Sequence, residues 1–395
     1  QTVTYGSPTL RFTHRTARVT IVLTDYTEGL ASVQLTGLST ENDNPDKITP
    51  YDKGSNTYIA LVAPQSVAAG RTFITCTFTN GKTFVYKMKN ATDWQAGGEY
   101  TYTVSLAAAR GYIIEDDGSY TVTSADGLMN ITKLVNGGKT DINITLGTNI
   151  DLTGKDWTPI GTSFRNSYTG TFDGGGHTIK GLTVTTNDQF VGLFGSLGEA
   201  GTVKNVVMEG VQITNNHGSG YVGGVVGNSD GTIENCSVSG SVSGTLYVGG
   251  VVGDQWGGTI TGCSSSATVK GTRCAGGVAG MTNSRATMAA CYATGNVTLE
   301  IDPIKKISGG GLVGFNGGAS LIFACYATGN VTSTGSGTGK VLIGGLVGEN
   351  NTTVTACYWK NNKEQGFGYN KEGIAHEATK VDGSVVTWQK AVDAM

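Results

Sequence analysis

A six-residue phrase recurs five times along the second half of this chain. The copies are Val222-Gly-Gly-Val-Val-Gly227, Val248-Gly-Gly-Val-Val-Gly253, Ala275-Gly-Gly-Val-Ala-Gly280, Gly309-Gly-Gly-Leu-Val-Gly314 and Ile343-Gly-Gly-Leu-Val-Gly348. Val191-Gly-Leu-Phe-Gly195 is a shorter first copy. Each full copy is followed, 9 to 11 residues on, by Cys236, Cys263, Cys291, Cys325 or Cys357, and Val206 takes that place in the first. The cysteines are 27, 28, 34 and 32 residues apart. A period of that size marks a stacked repeat in which each unit buries its apolar side only against its neighbours.

Each unit reads as three strand-like pieces, for example Tyr221–Gly227, Thr232–Val238 and Ser241–Ser243. Three such sides make one coil of a parallel β-helix, and the strong bias of parallel crossovers predicts a right-handed one. The Gly pairs suit tight corners and close backbone approach between coils. The two longer periods place insertions at 301–308 and 334–340, expected as loops at one corner. Roughly nine coils at about 4.8 Å predict a rod of roughly 45 Å.

The cysteines at one phase are expected as a ladder of buried free thiols acting as small apolar residues. In-register strands hold equivalent Cβ atoms about 4.8 Å apart, whereas a disulfide wants about 3.8 Å. Zinc is the sharper alternative, but the spacing is too long for a CxxC site and no His accompanies it. Gly supplies 62 of 395 residues, yet not at every third position, which excludes collagen. The net charge is −3 and no Lys/Arg block appears, which argues against nucleic-acid and membrane-surface partners. No apolar run reaches the length of a membrane span. No signal peptide is visible before Gln1, so a signal or lipoprotein segment is expected to have been removed or to lie outside this chain.

Residues 1–107 have another texture. Alternating runs at 18–23, 33–35, 57–62, 73–78, 84–88 and 100–106 read as strands, and Asn80-Gly81 is a two-residue hairpin signal. Short strands with frequent turns predict a β-sandwich. A linker is expected at 108–111, then strands at 112–117 and 120–123 around Asp117-Gly118. Ser124–Val135 reads as a helix capped by Ser124, with Leu128, Ile131, Leu134 and Val135 as its apolar stripe. Such a helix suits the open end of a solenoid, covering side chains and strand edges. Residues 387–395 read as a second capping helix, with Trp388, Ala391, Val392 and Met395 on one face.

Two resemblances extend this reading. Leu10-Arg-Phe-Thr-His14, Ala63-Pro-Gln-Ser-Val-Ala-Ala-Gly70 and Trp94-Gln-Ala-Gly-Gly-Glu-Tyr-Thr-Tyr-Thr-Val-Ser-Leu106 resemble the fimbrillin-like proteins of Bacteroidetes. Those are surface pilins and adhesins, which implies a transthyretin-like β-sandwich over 1–107. Trp157-Thr-Pro-Ile-Gly161, Gly170-Thr-Phe-Asp-Gly-Gly-Gly-His-Thr-Ile-Lys-Gly-Leu182 and the Gly-Gly-Leu-Val-Gly copies resemble the GLUG-motif repeats of bacterial surface and secreted proteins. That implies a β-solenoid over 112–395. Together they imply an extracellular or outer-membrane surface location. The fold class expected is all-β, a sandwich followed by a parallel β-helix with short capping helices.

Candidate chemistry is sparse. Gly137-Gly-Lys-Thr140 has Lys133 where a phosphate loop needs its first Gly, and it follows a helix instead of opening one. Gly218-Ser-Gly-Tyr-Val-Gly223 matches GxGxxG only by falling in the repeat frame. His376-Glu377 lacks the second His of a zinc-protease helix. Asp116-Asp117-Gly118 lacks the later ligands of a calcium loop. Asp173 and His177 could pair for acid–base work, but a Gly-rich turn with Asp173 on backbone amides is the simpler reading. Asp230, Asp254 and Glu349 follow Gly phrases without forming an acidic pair on neighbouring coils, which argues against a polysaccharide-degrading enzyme. No cofactor or metal is expected.

The residue after the repeat cysteine is Ser237, Ser264, Tyr292, Tyr326 and Tyr358 in turn. With cysteine inward, strand alternation turns these outward. Three stacked tyrosines on an outer face would suit a glycan or protein ligand, and a stack that only stabilises the coil is the plain alternative. The function expected is a non-catalytic surface adhesin or accessory pilus component binding a glycan, a protein or other pilins. The alternatives are a β-helix polysaccharide-degrading enzyme and a structural spacer.

Overall fold

The computed structural model describes residues 15–394, apart from 26–28, 42–43 and 80. The lead-in strand expected at Leu10–His14 lies outside them. The chain divides into two compact units, Gln1–Arg110 and Gly111–Met395.

In the first unit, β1 (Ala17–Thr24), β2 (Leu30–Thr36), β3 (Lys47–Ile48), β4 (Tyr51–Gly54), β5 (Thr57–Val62), β6 (Gln65–Val67), β7 (Thr72–Phe78), β8 (Thr83–Lys87), β9 (Thr92–Trp94) and β10 (Glu99–Ser105) follow in order. They form two four-stranded sheets, β10-β1-β5-β4 and β3-β2-β7-β8, with β6-β9 as a separate pair. Side chains at alternate positions fill one core from both sheets, including Val19, Ile21, Leu35, Phe73, Cys76 and Trp94. This is the sandwich that period-two patterning requires. β7 and β8 pair as the hairpin expected around Asn80-Gly81, with Asn80 outside the described residues, Gly81 at φ 81° and the Phe78 amide donating to Lys82 O at 2.9 Å. The boundary between the two units falls in the stretch 108–111 expected as a linker, which carries a 3-10 turn at Ala107–Arg110, begun by the Ala109 amide on Leu106 O at 2.8 Å.

The second unit is a parallel β-helix. One column of buried side chains runs in register through nine rungs, Tyr120, Ile144, Phe172, Val203, Ile233, Ile260, Met288, Ile322 and Val354, and exposed His376 continues the register. The helix α1 (Ala125–Asn136) opens on Ser124, whose Oγ accepts the Gly127 amide at 3.1 Å. Its Leu128, Ile131 and Val135 are fully buried in the same core as the first rungs, so it closes the beginning of the stack.

The coil differs from the three-piece expectation at two corners. The repeated phrase is two strands, such as Tyr221–Gly223 and Val226–Ser229, lying in different sheets. The chain doubles back there so tightly that only glycine fits between. A Cβ on Gly249 would lie 2.0 Å from Val252 O and 2.6 Å from Val278 O. The second break precedes each repeat cysteine. Asn205, Asn235, Gly262, Ala290, Ala324 and Ala356 stand at φ of 55°, 51°, 63°, 51°, 52° and 48°. One left-handed residue per coil thus turns the chain and sends the next side chain inward. The insertions form loops that stack on each other through the Thr338 amide on Pro303 O at 3.0 Å.

Val206, Cys236, Cys263, Cys291, Cys325 and Cys357 stand one per coil in the core, and all the thiols are free. Adjacent coils touch through this column, with the Cys236 amide on Cys263 Sγ at 3.4 Å and the Cys291 amide on Cys325 Sγ at 3.3 Å. Burial pushes the Cys325 thiol well above its ordinary range and Cys76, in the sandwich, to about 11. Half-buried Cys274, outside the column, is raised to about 12 for the same reason. The native protein is therefore expected to resist an aromatic disulfide reagent at all five column thiols, with all 7 cysteines reacting once it is unfolded. Rapid native labelling of the column would contradict its burial.

The second terminal helix is not the end plug that its sequence suggests. α2 (Trp388–Ala394) buries Ala391 against Tyr358 and Val381, in a cluster separate from the solenoid core. Val392, expected on the same face, is 61% exposed. The last rungs are formed by Phe367–Asn370 and His376–Lys380.

Candidate functional site

Ser237, Ser264, Tyr292, Tyr326 and Tyr358 occupy one column in successive register. Tyr292 and Tyr326 stack with centroids 4.9 Å apart and planes 2° from parallel. Trp388 of α2 meets Tyr326 edge-on at 5.4 Å. The outer face of three tyrosines expected from the sequence is thus reduced to one: Tyr358 is buried beneath α2, Tyr326 is half-buried, and Tyr292 remains 38% exposed. The apolar surface that the stack creates is covered by the apolar side of the terminal helix, which accounts for the difference.

Beyond Tyr292 the column drops to serine, and a trough of about 390 Å³ opens. It runs from Val207 and Glu209 past Ser237, Ser239, Ser264 and Ser266 to Tyr292 and Thr294. Strand alternation produces the row: Val238, Ser265 and Ala293 turn inward while their neighbours turn out. The step from serine to tyrosine gives the trough an aromatic end wall. The serines lining it were not singled out from sequence as a site, although Ser237 and Ser264 following the cysteines carried the signal.

The other candidates resolve into structural roles. Asp173 Oδ1 accepts the Gly175 amide at 2.8 Å and Asn205 Nδ2 at 3.0 Å. Burial opposes its ionisation, but these bonds and Lys204 at 3.4 Å hold its carboxyl below the usual value. His177 faces Asn149 Oδ1 at 3.3 Å. Gly137 caps the C-terminus of α1, donating to Lys133 O.

One sequence reading needs correction. Asp230 and Asp254 stand on neighbouring coils, and the charge of Asp230 reaches Asp254. Burial, followed by the charge of Asp230, raises Asp254 to about 7. Asp254 stands in register between Asn228 and Met281, where the strand pair of the repeated phrase doubles back. The doubling-back brings the strand ends and the following bend together, which a linear count after the Gly phrase does not reveal. Asp254 is only 3% exposed and Asp230 half-buried, so the carboxyl of Asp254 is withdrawn from the outer face. Among the described residues no cluster of three or more His, Cys, Asp or Glu could hold a metal ion, and no helix is long and apolar enough to cross a membrane.

Residues 1–115 match the model of the fimbrillin-like family, and 218–243 and 244–270 each match the GLUG motif. The chain joins a fimbrillin-like region to GLUG repeats. In the fimbrillin-like region, the Trp94 phrase closes the sandwich core. Trp94 Nε1 donates to Tyr102 OH at 2.9 Å, and the Gln95 amide donates to Tyr100 OH at 2.9 Å around the turn at Gly97, φ 78°. Each GLUG match spans one coil, and the two supply Ser237 and Ser239, then Ser264 and Ser266, to the trough.

Among curated relatives, halomucin of Haloquadratum walsbyi is 33% identical over 206 residues, 46% of this chain and 2% of halomucin. An Evansella cellulosilytica protein provisionally named a Gly-rich membrane protein is 38% identical over 96 residues, 24% of this chain and 11% of that one. The chain therefore spans a small fraction of either relative. A Bacteroides ovatus crystal structure, provisionally named an immunoglobulin A1 protease, superposes with a TM-score of 0.55 at 22% identity. It covers 68% of this chain and 86% of its own, and at that identity the likeness is one of fold. The fimbrillin-like and GLUG matches, with these relatives, support a cell-surface protein.

Proposed function

We propose that this protein is a non-catalytic cell-surface adhesin or accessory pilus component whose GLUG solenoid binds a glycan in the serine trough. The observation that carries this is the trough's make-up: a row of outward hydroxyls ending on the stacked ring of Tyr292. Sugars present hydroxyls along their edges and C–H groups on their faces, so hydroxyl partners and an aromatic wall match both. Three rung spacings separate Val207 from Tyr292, about 14 Å at 4.8 Å each, which suits a short oligosaccharide. Fimbrillin-like and GLUG sequences support placing such a site outside the cell. Against a polysaccharide-degrading enzyme stands the closure of Asp254, since a catalytic carboxyl pair must flank an accessible sugar bond.

The test is binding of the full chain to an array of neutral oligosaccharides. Tyr292→Ala is expected to weaken the binding found by roughly 3- to 10-fold, the worth of one aromatic contact. Ser264→Tyr adds one more ring to an existing column and fills the trough, so it is expected to abolish binding without disturbing the fold. A chain that binds equally well with either substitution would remove the trough from consideration.

A further inference from the structure

The two long coils owe their extra length to insertions that carry Lys306 and Lys340, each three residues ahead of its copy of the phrase. Ile307 and Val341 are paired in register, so the two lysines enter from adjacent coils at the same phase. They border a concavity of about 550 Å³ that also takes in Glu349, Asn351, Tyr369 and Lys371. It lies where the strands of the phrase double back, with Glu349 directly above Tyr369 in register.

Charge is unevenly settled in this concavity. Glu349, almost fully buried, accepts Lys306 Nζ at 2.7 Å and Ser308 Oγ at 3.2 Å. Lys306 is therefore committed to neutralising it. Lys340 Nζ lies 5.1 Å from the centre of the Tyr369 ring, and Tyr369 keeps 39% of its surface exposed. Among the described residues neither Lys340 nor Lys371 forms an ion pair. Two ammonium groups thus border one polar hollow beside a half-open aromatic ring, with the one carboxylate already satisfied. A surface serving only stability would place such lysines near acids or spread them apart.

We propose that this concavity binds a carboxylate-bearing sugar, a uronic acid or similar acidic residue of a glycan. The carboxylate meets Lys340 and Lys371, the sugar hydroxyls meet Asn351, and the C–H face lies toward Tyr369. A free phosphate is the poorer match, because it has no C–H face to lay against the half-open Tyr369 ring beside Lys340. Lysine serves here as a point charge and does not demand the planar fork that arginine provides. The site is separate from the serine trough and does not depend on it.

Calorimetric titration of the full chain with trigalacturonate tests the assignment, with galactotriose and a sulfated disaccharide as comparison ligands. Saturable binding is expected for trigalacturonate alone, weakening between 20 and 200 mM salt as screening grows. The double variant Lys340→Gln, Lys371→Gln is expected to lose about tenfold in affinity, and Tyr292→Ala to lose none. Both lysines are exposed, so this variant leaves the buried Lys306–Glu349 pair intact and should keep the parent's circular dichroism. Equal binding of galactotriose, preference for the sulfated sugar, unaltered affinity in the double variant, or no saturable heat from the folded parent would each overturn the proposal.

Discussion

Replacing Gly276 with alanine is expected to lower the thermal midpoint of the solenoid by roughly 6 to 12 °C, corresponding to about 3 kcal/mol. A Cβ there would lie 2.1 Å from Ala279 O, 2.7 Å from Gly314 N and 2.7 Å from Leu312 O. All three are backbone atoms, and they belong to this coil and the next. No rotamer change can make room; the doubled strands must separate, and the stack above must follow. Gly218 offers the control, since its backbone is not left-handed and a Cβ would meet nothing within 4 Å. Gly218→Ala is expected to change stability by no more than about 0.5 kcal/mol. Thermal unfolding followed by circular dichroism separates the two, and equal midpoints would mean that the glycines are not there for close approach.

The same pair of strands explains what is legible in this sequence. A stacked repeat must place one residue type at one phase, so the cysteines and the phrase copies announce the solenoid and its inward column. Alternation likewise announces the sandwich strands and the direction in which Tyr292 and Tyr326 point. Corners are less visible. Ala290, Ala324 and Ala356 adopt left-handed backbone that alanine does not advertise, and the coil is held there by the stack on either side. Contacts made by the terminal helix are hidden as well. Trp388 and Ala391 mark an apolar face, but nothing local says that it covers Tyr358 and Tyr326 instead of the end of the coil. The approach of Asp230 to Asp254 depends on how the chain doubles back, and a count along the sequence misses it. Lys306 and Lys340 did carry a readable signal, their shared phase ahead of the phrase, and only the fold shows that Lys371 joins them.

Asp254 is where the solenoid is expected to respond most strongly to pH. Its carboxyl is withdrawn from water, Asp230 repels its charge, and it titrates at about 7 in the folded chain against 3.8 as the ordinary value. Asp254 Oδ1 has no hydrogen-bond partner to offset that withdrawal. The sign follows from which state ionises first. Below about pH 4 both states hold the proton and the residue contributes no penalty. Between there and 7 the unfolded chain ionises while the folded chain stays protonated, so stability falls as pH rises. Above 7 both are ionised and the loss levels off, at no more than about 4 kcal/mol for a shift of this size. Asparagine removes the charge and keeps the shape, and Asn228 already occupies the preceding rung of this column. Asp254→Asn is therefore expected to match the parent near pH 4 and to exceed it increasingly up to pH 8. Carboxylates held below their usual value, such as Asp151 and Asp173, push the parent's profile the other way, so the difference between variant and parent is the quantity to measure. Asp230→Asn should recover a smaller part of the same difference, because burial outweighs repulsion among the causes. A difference that stays flat from pH 4 to 8 would show that Asp254 keeps its charge in the folded coil.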